Sequence, residues 1–107
     1  MKNVIAIATL LTFSVVGSDA QAQAVNNSAD GLAIARQTCS ECHAIQKGQA
    51  RSPNSNSPTF VEIANVPGMT TIALMVALTT PHAGMPMFIL TADQRESIIS
   101  YILSLKQ

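Results

Sequence analysis

The chain is expected to be all-α, and three observations point there. No stretch shows the strict apolar–polar alternation that marks a half-buried strand. Near the C-terminus, Thr91-Ala92-Asp93-Gln94 forms a capping box, after which Ile98, Tyr101, Ile102 and Leu105 recur at helical spacing. Two further apolar runs in the middle of the chain each follow a Ser or Thr suited to cap a helix. At 107 residues, without internal repeats, there is room for one domain.

The first two dozen residues have the three-part layout of a secretory signal. Lys2 gives a positive start, Val4 to Gly17 an apolar stretch, and Ser18-Asp19-Ala20-Gln21-Ala22-Gln23-Ala24 a small-residue region. Residues 1–24 are therefore expected to be a signal peptide, cleaved after Ala22 or after Ala24, which leaves 25–107 as the domain. An uncleaved anchor is disfavoured because the apolar stretch falls short of the roughly 20 residues that span a bilayer. Without the leader, Arg36, Lys47, Arg51, Arg95 and Lys106 balance Asp30, Glu41, Glu62, Asp93 and Glu96. A neutral chain lacks the basic face that nucleic acid requires, and it gives no strong long-range steering toward a charged partner.

Residues 24–28 are read as a loose lead-in to a short helix over Asp30–Thr38, with Ser28 or Asp30 as cap and either Leu32 with Ala35 or Ile34 with Thr38 facing inward. That helix runs into Cys39-Ser40-Glu41-Cys42-His43, which holds the only two cysteines of the chain. Two thiols spaced by two residues share one face of a helical turn. The spacing suits thioether bonds to the two vinyl groups of one haem, with the adjacent imidazole as proximal iron ligand. The same C-x-x-C also suits thiol–disulfide exchange, which usually sits in an α/β pattern. A structural zinc site needs four ligands, and the chain offers Cys39, Cys42, His43 and the distant His82.

Lys47 to Ser57 is a polar, turn-rich loop long enough to wrap something. Ser57-Pro58 reads as a cap and first-turn proline for a short helix through Phe60, Ile63 and Ala64, stopped near Pro67-Gly68. Thr70 or Thr71 opens the next helix, Ile72 to Leu78, apolar nearly all round and so expected to pack on several sides. The only large aromatics after the leader are Phe60, Phe88 and Tyr101, too few for a well-filled core at this size. A bound haem would supply the missing apolar volume.

Candidates for a sixth iron ligand lie in Pro81-His82-Ala83-Gly84-Met85-Pro86-Met87-Phe88. Thioether sulfur is soft and neutral, favours ferrous iron and raises the potential. Met85 sits between a glycine that allows close approach and a proline that stiffens the strap. Met87 would point elsewhere on an extended backbone, and Met69, Met75 and Met87 are expected to pack. His82 is chemically competent as a replacement ligand and is otherwise expected near the surface.

With these residues placed, the chain from Asp30 to Lys106 resembles the small monohaem class I cytochromes c of bacteria. The matching order is a helix containing Gly31, C-x-x-C-H, a loop, a proline, short middle helices, Met-Pro, and a C-terminal helix with Tyr-Ile. The resemblance implies about four short helices wrapped around one haem c, covalent through Cys39 and Cys42, with His43 and Met85 on the iron. It implies that Pro58, with Pro53 as the spare, accepts a hydrogen bond from the proximal imidazole. It also implies a crossing of first and last helices at Gly31 and Tyr101. The family often has an aromatic where this chain has Ala35, which predicts a weaker helix–helix contact. The implied activity is periplasmic one-electron transfer to transient redox partners rather than catalysis. There is no lysine-rich docking face, and no membrane insertion is expected after signal removal. A haem protein with a labile sixth position, binding gas or peroxide, is the nearest alternative.

Overall fold

The structure is a computed structural model that describes residues 19–107. The apolar stretch of the expected leader, Val4 to Gly17, lies outside the described residues. Four helices follow in order: α1 (Asp19–Thr38), α2 (Phe60–Ala64), α3 (Thr71–Thr79) and α4 (Ala92–Ser104). Among the described residues the only β-type pairing is an isolated bridge between His82 and Met85, so the all-α expectation holds.

The start of α1 differs from expectation. The helix is continuous from Asp19, so Ser28 and Asp30 lie inside it rather than capping it, and residues 24–28 are not a loose lead-in. Alanine and glutamine are strong helix formers, and no glycine or proline interrupts the run before Gly31. Gly31 and Ala35 are buried and Leu32 is half-buried, which makes theirs the inward side.

α1 packs on α4 more extensively than any other pair of helices. At the crossing, a β-carbon on Gly31 would stand 2.0 Å from the Ser97 carbonyl oxygen and 2.7 Å from Tyr101 Cβ. Backbone rests on backbone there. Ala35, one turn on, is fully buried. The contact is therefore not weakened by the missing aromatic: two small residues let the helices approach closely enough to do without it. Around the crossing lies the core of Ala35, Ile45, Phe60, Ala64, Leu74, Ile98, Ile99, Tyr101, Ile102 and Leu105.

α2 begins two residues later than Ser57-Pro58 suggested. Thr59 is its cap: Glu62 N–H donates to Thr59 Oγ1 (3.1 Å) and Thr59 N–H donates to Glu62 Oε2 (2.7 Å). This reciprocal pair satisfies two end donors, more than a Ser57 cap offers, and it holds the Glu62 carboxyl below the usual carboxylate range. α3 is capped by Thr70, whose Oγ1 accepts from Ala73 N–H (3.2 Å). The expectation that α3 is packed on several sides fails. Only Leu74 is buried, while Ile72 is 76% and Val76 54% exposed. One side of the helix meets the interior and the other meets solvent. α4 is as the sequence implied, with Thr91 and Gln94 closing the capping box.

Gly31→Ala decides whether the crossing is as tight as the geometry states. A free helical position would gain about 1 kcal/mol from the change. Here overpacking is expected to lower the unfolding free energy of the haem-loaded protein by about 3 kcal/mol, read by denaturant titration. A gain in stability would refute the close contact.

Candidate functional site

α1 ends at Thr38, but its hydrogen-bond pattern carries on into the motif. Cys39 N–H donates to Ala35 O (2.9 Å), and His43 N–H donates to Cys39 O (2.9 Å). The two cysteines and the histidine therefore sit on one continuing turn. Both thiols are free and half-buried. Burial pushes the Cys39 thiol up to about 11.

The chain after His43 is tied down bond by bond. Gln49 Oε1 accepts from the amides of Ile45 and Gln46 (both 2.9 Å), and Ser52 Oγ accepts from Ala44 N–H (3.0 Å). Asn54 N–H donates to Cys42 O (3.1 Å) and Phe60 N–H to Ala44 O (2.8 Å). From α4, the buried Tyr101 hydroxyl donates to Ile45 O (2.6 Å). The polar loop folds back on the motif, which accounts for its length.

This wrapping brings Pro58 to His43. The imidazole Nδ1 lies 2.6 Å from Pro58 O. A carbonyl only accepts, so Nδ1 carries the proton and Nε2 is left with its lone pair. Pro53 is exposed and makes no such contact. The Phe60 ring stands 5.6 Å from the His43 ring and 6.3 Å from that of Tyr101, which links the site to α4.

A cleft of about 370 Å³ opens beside this histidine. Phe60, Ile63, Met69, Leu74, Leu78, Ile98 and Ile102 make its apolar wall, and Cys39, His43, Pro58, His82 and Met85 also line it. Cys42 borders an adjoining pocket together with Cys39, His43 and Met85. Of the five residues singled out from the sequence, Cys39, His43, Pro58 and Met85 line the cleft, and Cys42 borders the pocket beside it. Asn54 and Asn56 line it too, and loop length was the only hint of them. Met69 reaches the cleft and Met75 packs on the core, whereas Met87 is 51% exposed instead of packed.

The opposite strap is a tight turn. Met85 N–H donates to His82 O (3.3 Å), and Gly84 has φ +79°, a value that suits glycine at the third position of a type II turn. His82 is exposed, as expected, yet its ring also reaches the cleft.

Compared with known proteins, residues 28–106 match the family model described as Cytochrome c. The chain belongs to the cytochrome c family. It is 31% identical over 96 residues to cytochrome c-552 of Bradyrhizobium diazoefficiens, with 90% of each chain covered. No solved structure matches it significantly. As a cytochrome c it is a haem-based electron carrier rather than an enzyme, and its cofactor is covalently bound haem c.

The cavity fits that group. It offers an apolar wall, two free thiols at C-x-x-C spacing and an imidazole nitrogen with an unshared lone pair. The competing chemistries fit less well. A thiol raised to about 11 is a poor thiolate nucleophile, the reverse of what disulfide exchange favours. Among the described residues no group of three or more His, Cys, Asp and Glu is placed to hold a metal ion, as zinc would need. Among them, too, no helix is long and apolar enough to cross a membrane.

Tyr101→Phe removes the hydroxyl that anchors Ile45 and leaves a buried carbonyl without its donor. The variant is expected to lose about 1–3 kcal/mol of stability while keeping the visible spectrum of the haem-loaded protein. Chemical denaturation followed at the haem band measures the first and an absorption scan the second.

Proposed function

We propose that this cytochrome c is a periplasmic one-electron carrier whose haem is attached through Cys39 and Cys42 and whose iron is held between His43 and Met85. The observation that carries this reading is the Nδ1–Pro58 O bond at 2.6 Å, which presents Nε2 of His43 in a cavity that Met85 also lines. Bound haem supplies an iron that takes up and gives back one electron.

The residues around it do the rest. Pro58 O fixes the His43 tautomer and raises the basicity of the free nitrogen. Met85 adds a soft, uncharged sulfur that favours the ferrous state and raises the reduction potential. Leu74, Ile98 and Ile102 exclude water from the cavity. With a side chain on each side of the iron there is no open position for a substrate, and neither ligand has to move between the two redox states. Reorganisation is then small. Beside the strap, Met87 (51%), Phe88 (38%) and Ile89 (103%) are exposed, an apolar surface suited to a small, short-lived interface with a redox partner. The formally neutral charge gives no support to nucleic-acid binding.

Residues 1–24 act as the signal in this reading, with cleavage after Ala22 or Ala24. Either cut falls inside α1 and well before Gly31, so the crossing with α4 keeps all its partners. Export to the periplasm suits both covalent haem attachment and two cysteines in an oxidising compartment.

The test is a visible spectrum and a potential. The haem-loaded protein is expected to be low-spin, with the weak far-red band of methionine on ferric iron. Met85→Ala is expected to keep the haem attached, lose that band and show a markedly lower potential. An unchanged potential would sink the Met85 assignment. A high-spin spectrum of the unaltered protein would favour gas or peroxide binding instead.

A further inference from the structure

The two histidines of this chain are held in the same way. His43 Nδ1 faces Pro58 O at 2.6 Å, and His82 Nδ1 faces Thr80 O at 3.1 Å. Each carbonyl only accepts, so in both rings Nδ1 is the donor, and in the neutral ring Nε2 keeps its lone pair. A ring N–H tied to a backbone carbonyl is the wiring that metal-binding histidines almost always show. For His43 it is expected from its place in C-x-x-C-H. For His82, in a strap whose assigned ligand is a methionine, nothing in that assignment accounts for it.

The free nitrogen of His82 is also in a telling place. Nε2 lies 3.1 Å from Met85 Sδ. In the neutral ring the proton sits on Nδ1, and the contact then sets two electron-pair donors side by side at the cleft. The backbone keeps them there. His82 and Met85 are the first and last residues of the turn closed by Met85 N–H to His82 O, and the positive φ of Gly84 holds its shape. Thr80, which anchors the ring, is the C-cap of α3, so His82 is tied to a helix end and not only to the strap.

We propose that His82 is a reserve ligand, whose Nε2 takes the sixth position on the haem iron when the sulfur of Met85 leaves it. This rests on the reading that Met85 is the resting ligand. The exchange breaks one iron–sulfur dative bond and forms one iron–nitrogen dative bond. No electron changes hands, and with the ring neutral no proton has to leave, because Nε2 then carries none. Imidazole favours ferric iron relative to thioether, so the exchanged form has a lower potential and is a poorer electron acceptor.

Three haem-loaded proteins test this by absorption and electron paramagnetic resonance: the unaltered chain, Met85→Ala, and Met85→Ala with His82→Ala. The unaltered protein should show the far-red methionine band. Met85→Ala should lose the band yet stay low-spin with the signature of two imidazoles, and the double variant should turn high-spin. If His82 fills the position most of the time, added imidazole should bind the double variant at least about tenfold more tightly than Met85→Ala. A high-spin Met85→Ala protein with the same imidazole affinity as the double variant overturns the proposal. Absence of the band from the unaltered protein overturns the Met85 reading itself, and the reserve role with it, before any substitution is made. Met85→Leu, closer in volume, serves the same comparison if the alanine variant does not fold.

Discussion

The contact on which the rest of this cytochrome depends is the seating of α1 on α4 at Gly31. A Cβ on Gly31 would run into the Ser97 carbonyl, so the two backbones meet there with no room for a side chain between them. The consequences run in both directions along the chain. On one side α1 continues into Cys39, Cys42 and His43, so the crossing sets where the thiols and the imidazole stand. On the other, the same face of α4 turns Ile98 and Ile102 into the cleft and sends the Tyr101 hydroxyl to Ile45 O, two residues past His43. A helix pair held further apart would separate the motif from its apolar wall. The small side chains at Gly31 and Ala35 thus shape a cavity that neither of them lines.

From that crossing the loop after His43 follows in order. Tyr101 pins Ile45, Gln49 and Ser52 bind the amides beside it, and Phe60 N–H closes onto Ala44 O. These bonds settle where Pro58 must lie, and so which nitrogen of His43 is free. Burial against the apolar wall of the cleft is what lifts the Cys39 thiol. The exchange and zinc chemistries open to a bare C-x-x-C are disfavoured here by this surrounding, and the family match agrees.

Much of this was legible in the chain itself, and the misses share a cause. The box of Thr91 and Gln94 was readable from the residues themselves, because it needs particular residues at a particular spacing, whereas the Gly31–Tyr101 crossing and the pairing of His43 with Pro58 were implied by the family resemblance. The start of α1 was misjudged because a cap is recognisable only where a helix stops, and Ser28 and Asp30 are tolerated inside a long alanine-rich run. The cap of α2 was expected at Ser57, and the reach of Glu62 back to Thr59 puts it two residues further on. The exposure of Ile72, Val76 and Met87 is a tertiary fact, since apolar composition states what a residue would gain by burial and not whether a neighbour is present. Asn54 and Asn56 were invisible for a related reason: a polar loop residue has no period to betray which way it faces.

The two sides of the cleft are built unequally. His43 is embedded in a network drawn from the loop, α2 and α4. The strap of Met85 is an exposed turn with one backbone bond, flanked by Pro81 and Pro86 and held beyond them by Arg95 Nη1 on Leu90 O. Prolines limit how far such a strap bends but add no contacts that bury it. In a protein that passes electrons, this asymmetry has a use. In the proposed reading the embedded side would keep the cofactor's position constant, while the lighter side, beside exposed Met87, Phe88 and Ile89, is where a partner would come nearest the cavity. The lightly held segment is therefore also the one that carries both Met85 and His82.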